Sequence, residues 1–262
     1  MRFLHAARFA GLGRNDTITM PHNHTIISLG GSLVIPKIGF DIPFLKRFRK
    51  LILDEMKRGK RFILIVGGGA TARAYQEGFK DLWIPPRIKS GVTEGRNDMK
   101  LDDKLDWLGI HSTILNAQFV RMLFGDNAYH DVQIDPTKKI KTDKPIIIGS
   151  GWKPGCSSDY DAVLAAKTYG AREVINISNI DYVYDKDPTK FTHAKPLPRL
   201  TWKEYRAMVG DTWYPGSNAP FDPIASKTAD KLGLTVKILR GTALSEARKA
   251  IRGEKFRGTT IA

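Results

Sequence analysis

Three short apolar runs end in glycine, and the residues just beyond each have the chemistry to hold phosphate. The first is Thr25-Ile-Ile-Ser-Leu-Gly-Gly-Ser32. The second is Phe62-Ile-Leu-Ile-Val-Gly-Gly-Gly69, with Arg73 just beyond it. The third is Ile146-Ile-Ile-Gly-Ser-Gly-Trp-Lys-Pro-Gly155, leading to Ser157-Ser158-Asp159. Glycine lets the backbone approach an anion closely and leaves N–H groups free to point at it. A helix start adds partial positive charge. Several such exits along one edge of a parallel sheet suit more than one phosphate.

The elements that must position these residues are legible around them. Asp41 caps a helix with Pro43 in its opening turn, and Phe44, Leu45, Phe48, Leu51, Ile52 and Met56 recur at helical spacing before Gly59 supplies a stop. That helix returns the chain to the run Phe62–Val66, a βαβ unit whose strands are parallel. Pro85-Pro86, Gly91 and Gly95 make Trp83–Asp103 read as a long charged loop, in which Arg87, Lys89 and Arg96 face water. A helix containing Leu105, Leu108, Ile110, Ile114, Leu115, Phe119 and Met122 comes next, with Asp106 near its start. Ile146–Ile148 is the next strand, and Ser158 or Asp159 caps a helix running to Tyr169 and ended by Gly170. Glu173–Ile177 is a strand, Asp222-Pro223 opens a helix, Val236–Leu239 is a strand, and Ser245–Arg252 a final helix before the tail Phe256–Ile261. Strand and helix alternate almost throughout. The expected fold is therefore α/β, a three-layer αβα sandwich with a mainly parallel sheet of about eight strands.

Bulk properties narrow the classes. A chain of 262 residues with 42% in the hydrophobic set supports one large α/β domain. No apolar run approaches the length of a membrane span. The single cysteine, Cys156, excludes disulfide frameworks and cysteine-rich zinc sites, and fits a reducing cytoplasm. Cys156 itself reads as a small filler. The net charge of +15 favours anionic partners, but the basic residues are spread along the chain and no RNA-binding or zinc-finger motif accompanies them, so a nucleic-acid partner is not expected. Residues 1–22 read as a disordered extension, with Met20 as an alternative start and an organelle presequence as the other reading. His22 and His24 lack a third ligand in the sequence, and no metal role is assigned to them. Trp152, Trp202 and Trp213 read as anchors. There is no G-x-x-x-x-G-K-[ST], no G-x-G-x-x-G opening a helix after the first strand, no protein-kinase signature and no serine elbow. Composition and spacing stop at a protein that binds phosphorylated small molecules.

The order of fragments carries further. Gly30-Gly31-Ser32, Gly67-Gly68-Gly69-x-x-x-Arg73, Asp106-x-x-Gly109 with Asn116-Ala117, Pro154-Gly155-x-Ser157-Ser158-Asp159, Ser178-Asn179-x-Asp181-x-Val183-Tyr184-x-x-Asp187-Pro188, Asp222-Pro223 and Gly258-Thr259-Thr260-Ile261 occur in this order. Over nearly all of residues 24–261 the chain resembles the archaeal-type UMP kinases of the amino acid kinase superfamily. The resemblance implies transfer of the ATP γ-phosphate to UMP, with Mg²⁺, in a homohexamer. It implies that Gly30, Gly31, Ser32 and Gly69 line ATP phosphates, with Arg73 on phosphate and Ser178, Asn179, Tyr184 and Asp187 around the donor. Gly67, Gly68, Asp106 and the loop Gly151, Trp152, Lys153, Pro154, Gly155, Cys156, Ser157 and Ser158 would hold UMP, with Asp106 on the ribose. Asp159 would organise the reaction centre through Mg²⁺ or another cation. Residues 23–150 would form the acceptor lobe and 151–262 the ATP lobe of one kinase domain. No metal ligand set is assigned.

The chain departs from the family where charge matters. A lysine commonly stands two residues before the first glycine, and Ser28 is there. A second lysine usually precedes Asp222-Pro223, and Tyr214 takes its place. Tyr182 replaces a glycine of the ATP turn. Lys153, six residues before Asp159, is the candidate replacement cation. Two alternatives stay open: a kinase of the same fold acting on a carboxylate, and a catalytically weak nucleotide-binding regulator or storage protein, which Ser28, Tyr182 and Tyr214 motivate.

Overall fold

The computed structural model describes residues 24–37, 39–83, 100–212 and 219–262. The extension 1–22, the segment 84–99 with Arg87, Lys89 and Arg96, and Trp213 and Tyr214 lie outside the described residues. Strand β1, His24–Leu29, leads through Gly30 into a short helix α1, Gly31–Val34, and then α2, Ile42–Met56. Asp41 caps α2 as expected, its carboxylate accepting from the Phe44 N–H at 2.9 Å. Strand β2, Arg61–Val66, ends at the second glycine run, and α3, Gly69–Leu82, comes after it. Helix α4, Leu101–Phe124, begins earlier than the sequence suggested. Leu101, Asp102 and Asp103 belong to it and not to the loop, because acids in a first turn complement the helix dipole.

An unexpected strand, β3 (Ala128–Gln133), precedes β4 (Ile146–Gly149). β3 lies at the sheet edge with several residues facing out, so it lacks a continuous apolar run. Helix α5, Ser158–Tyr169, is capped by Ser157 rather than by Ser158 or Asp159, and Gly170 ends it at φ 70°. Strand β5, Glu173–Ser178, is followed by a small ribbon of β6 (Val183–Tyr184) and β7 (Pro196–Leu197). Strand β8 (Arg199–Leu200) leads to α6 (Trp202–Val209), also unexpected, although the capping box Thr201-Trp-Lys-Glu204 announces it. Helix α7 (Pro223–Lys231), strand β9 (Thr235–Arg240), helix α8 (Leu244–Arg252) and β10 (Thr259–Ile261) complete the chain. The C-terminal tail is thus a strand, antiparallel to β9.

Among the described residues the main sheet has eight strands in the order β3-β4-β2-β1-β5-β9-β10-β8, and from β3 across to β9 they run parallel. Both faces are covered, so β1, β2, β4 and β5 read as near-continuous apolar runs. Ile27, Leu29, Leu64, Ile148, Ile175 and Leu239 pack with α2, α4 and α8. Ile26, Ile63, Ile147, Val174, Val236 and Ile238 pack with α5, α6 and α7 on the other face. The strand order reverses between β1 and β5, and ligands of open α/β sheets bind at the carboxyl ends of strands beside such a point. No helix among the described residues is long and apolar enough to cross a membrane.

Candidate active site

The first two glycine exits interlock. Gly67 donates its N–H to Leu29 O at 3.0 Å, and Ala70 donates to Ile35 O at 3.1 Å. A Cβ on Gly31 would land on the backbone of Gly67 and Gly69, and Gly69 holds φ 62°. Glycine is required at both places: the strand exits touch backbone to backbone, which leaves no room for a side chain. Gly30 donates to Ile177 O at 2.9 Å, tying the first exit to β5. Ser158 closes the third exit onto the second, its Oγ lying 3.5 Å from where a Gly67 Cβ would stand. Ser32 is partly buried in α1 beside them.

Asp159 sits where the three exits meet. Ser28 Oγ donates to its Oδ1 at 2.9 Å, Asn176 Nδ2 to the same oxygen at 3.1 Å, and the Asp222 N–H to Oδ2 at 3.3 Å. Burial pushes its carboxyl up to about 7, against the Ser28 hydrogen bond, with the Asp222 charge adding to the rise. Two further carboxyls are buried beside it. Both oxygens of Asp161 lack a hydrogen-bond partner, as does Asp222 Oδ2, while Asp222 Oδ1 caps α7 through the Ala225 N–H at 2.6 Å. Burial raises both pKa values; for Asp161 the approach of the Trp152 N–H offsets part of the rise. Among the described residues, no lysine or arginine is ion-paired to any of the three.

Beside the acids, among residues expected to hold the acceptor, lies a cavity of about 160 Å³ bounded by Gly68, Gln76, Asp106, Thr113, Gly151 and Ser158. Its walls are fixed by side chains that hold backbone. Thr113 Oγ1 accepts from the Gly151 N–H at 2.7 Å and donates to Ile110 O at 2.6 Å. Asn116 Nδ2 donates to Gly67 O at 2.9 Å and Gly68 O at 2.8 Å. Asp106 Oδ2 accepts from the Gly155 N–H at 2.9 Å, and burial raises its pKa. That bond leaves Oδ1 as an acceptor beside the cavity. Cys156 lines the cavity, with its thiol pushed up to about 11 by burial and then by the Asp161 charge, so it stays protonated and unreactive. Trp152 is partly buried; Lys153 is exposed, its ammonium 4.0 Å from the centre of the Trp152 ring. Pro154 and Gly155 form the loop tip, Gly155 at φ 77°.

The residues expected around the donor are more loosely held. Ser178 ends β5, its hydroxyl donating to Asn179 Oδ1 at 3.3 Å, and Tyr184 meets Tyr182 edge to face at 6.4 Å. Asp187 is engaged in its own turn, accepting from the Thr189 N–H at 2.9 Å and its hydroxyl at 2.7 Å. Arg73 is exposed on α3. The site thus gathers Gly30, Gly31, Gly67, Gly68, Gly69, Asp106, Asp159 and the loop 151–158, while Arg73, Lys153 and Asp187 stand at its rim or beyond its hydrogen bonds. Asn176 and Thr113 escaped sequence reading. The signal for Asn176 was a polar residue inside the apolar run Val174-Ile-Asn-Ile177, a position that must find a buried partner.

An open parallel sheet with glycine exits at its switch point and an acid between them defines an α/β protein built to handle phosphate. The chain belongs to the amino acid kinase family, whose profile matches residues 23–240. It is 26% identical over 240 residues to a uridylate kinase of Hyperthermus butylicus, covering 90% of this chain and 97% of that one. It is 29% identical over 225 residues to a uridylate kinase of Methanoregula boonei, covering 83% and 86%. The crystal structure of uridylate kinase from Archaeoglobus fulgidus superposes with a TM-score of 0.72 at 26% identity, covering 91% of this chain and all of that one.

Proposed function

We propose that this protein is a UMP kinase, transferring the γ-phosphate of ATP to UMP to give UDP and ADP with Mg²⁺. The observation that carries the reading is the shared cleft: the glycine exits of β1 and β2 touch backbone to backbone, and Ser158 and Asp159 close on both. The similarity to uridylate kinases supports it over most of the chain's length. Nothing in that similarity favours a carboxylate acceptor or a storage role.

The acceptor in this reaction is itself a phosphate. With a second pKa of about 6 it is mostly dianionic at neutral pH, so no general base is required. The task is to bring two anions together and neutralise charge on the transferred group. Gly67, Gly68 and Gly69 would present backbone N–H groups to the phosphates on either side of that group, and Gly30, Gly31 and Ser32 would line the rest of the donor chain. Asp106 would take ribose hydroxyls of UMP, held in aim by the Gly155 N–H. Ser178, Asn179, Tyr184 and Asp187 would surround the donor nucleoside. Arg73 and Lys153 would swing in from the rim when phosphate arrives.

The acids at the centre fit Mg²⁺. Mg²⁺ takes hard oxygen donors, usually one or two carboxylates plus substrate phosphates and water. Asp159 and Asp222 are adjacent, and Asp222 Oδ2 is a buried oxygen without a partner. Those two carboxylates would hold the ion, which when bound neutralises phosphate charge. In the proposed organisation residues 23–150 serve the acceptor and 151–262 the donor, a homohexamer is the expected assembly, and the cytoplasm the expected compartment. A coupled assay with ATP and each nucleoside monophosphate tests the reading. UMP should give the highest turnover, and phosphorylation of a carboxylate acceptor with no UMP turnover would overturn it.

A further inference from the structure

Charge at the donor edge is unbalanced, and one side chain that the sequence did not single out is placed to correct it. Ser28 stands in register with Asn176 across β1 and β5, and Asn176 in register with Ile238 across β5 and β9. Ser28 and Asn176 both turn to the α5 side of the sheet, where they meet Asp159. Two residues further along, the corresponding row contains Ser178, paired with Arg240 at the carboxyl end of β9. Side chains two apart on a strand share a face. Arg240 therefore leaves the sheet on the same face and edge as Ser28 and Asp159, two strands over, or about 10 Å at the usual strand spacing.

Its present bonding leaves it available. Arg240 Nε lies 2.9 Å from Asp181 Oδ1, but it is among the buried side-chain atoms without a properly directed hydrogen bond. Among the described residues that ion pair is its one charged contact, and the side chain remains 43% exposed. The neighbouring backbone is fixed: Gly241 donates to Ser178 O at 2.7 Å, and a Cβ there would strike Leu33. An arginine fork on a rigid strand end, beside a serine and a glycine exit, suits paired phosphate oxygens.

We infer that Arg240 is a donor-phosphate binding residue, supplying from β9 positive charge that Ser28 does not supply from β1. This rests on the reading of Ser178 and Gly30 as the donor side. Asp181 parks the guanidinium in the free protein and gives it up when ATP arrives.

The test is calorimetric titration of the full chain with ATP, with adenosine followed by competition against a fluorescent ATP analogue, for the wild type, Arg240→Met, Arg240→Lys and Asp181→Asn. Arg240→Met should weaken ATP at least tenfold while adenosine and the KM for UMP shift less than twofold. Arg240→Lys should recover part of the loss, and Asp181→Asn should leave ATP affinity within threefold of wild type. Equal losses for ATP and adenosine, or an Asp181→Asn loss matching Arg240→Met, would overturn the inference, since Arg240 would then act only by holding the turn. Should Arg240→Met misfold, Arg240→Lys and Asp181→Asn still decide it: a lysine variant no weaker than wild type toward ATP, or an asparagine variant tenfold weaker, counts against. A wild-type chain that binds no ATP would instead sink the donor-side reading itself.

Discussion

The cavity beside Thr113 and the cluster of buried acids are neighbours built on opposite rules. Around the cavity, side chains hold backbone: Thr113 grips Gly151, Asn116 grips Gly67 and Gly68, and Asp106 grips Gly155. Among the described residues, only Asn116 Oδ1 is buried there without a partner. Around the buried acids the side-chain atoms without a hydrogen-bond partner are the two oxygens of Asp161 and Asp222 Oδ2. A buried polar group left unmatched costs about 1–3 kcal/mol. The cavity, the proposed acceptor pocket, is thus shaped in advance by the fold, whereas the buried acids hold an electrostatic imbalance that a bound cation would relieve. Affinity for the acceptor should depend on backbone geometry, and catalysis on charge.

The largest effect should come from the centre. Asp159→Asn keeps the shape but sets an amide N–H against the Asp222 N–H or the Ser28 hydroxyl, and removes the charge. A fall in kcat of roughly 10²–10³-fold is expected, the scale for losing one electrostatic group at a reacting centre. Steady-state kinetics with UMP checks it, and a fall below about tenfold would strike Asp159 from the centre.

On the other side of the comparison, Gly31→Ala drives a Cβ into the backbone of Gly67 and Gly69. Overpacking of this kind costs up to about 3 kcal/mol. At roughly 2–4 °C per kcal/mol, the melting temperature should drop by about 6–12 °C. An unchanged melting temperature would show that the strand exits are not locked together.

Lys153→Ala tests whether the loop lysine leaves Trp152 for phosphate. Loss of about tenfold in kcat/KM, near 1.4 kcal/mol, is expected. A smaller loss would leave Lys153 as a lysine resting on an indole.

The buried acid also sets a pH dependence. Asp159 has a folded pKa of about 7, raised chiefly by burial from the ordinary aspartate value of 3.8. The folded form therefore holds a proton that the unfolded chain releases between those values. Stability from this group is complete below the lower value and is lost as pH rises through about 7. In melting experiments without ligand, the wild type should lose more stability between about pH 5 and pH 8 than Asp159→Asn. Equal slopes would mean that Asp159 is solvated and not buried at the centre.

How much of this was legible in the sequence depends on how local each feature is. α2, α5 and α7 announced themselves through Asp41-x-Pro43, Gly170 and Asp222-Pro223, because caps and stops act within one turn. β1, β2, β4 and β5 were visible because a sheet covered on both faces needs unbroken apolar runs. β3 was not: an edge strand with His130 and Asp131 exposed carries no such run. The glycine exits and Asp159 were found by type and order. The contacts between them were not, because Ser28 reaches Asp159 across 131 residues and Asn176 reaches it from a different strand, β5. Packing of α5 on the sheet decides those contacts, and that packing is not set by neighbours in sequence.

The most direct trial of the shared cleft is a calorimetric titration with an analogue joining uridine and adenosine through a chain of phosphates. A single such molecule should bind per protein chain and be displaced by either UMP or ATP. Displacement by only one of the two nucleotides, or binding that leaves the other site free, would contradict a donor and an acceptor lying end to end over Gly31, Gly68 and Ser158.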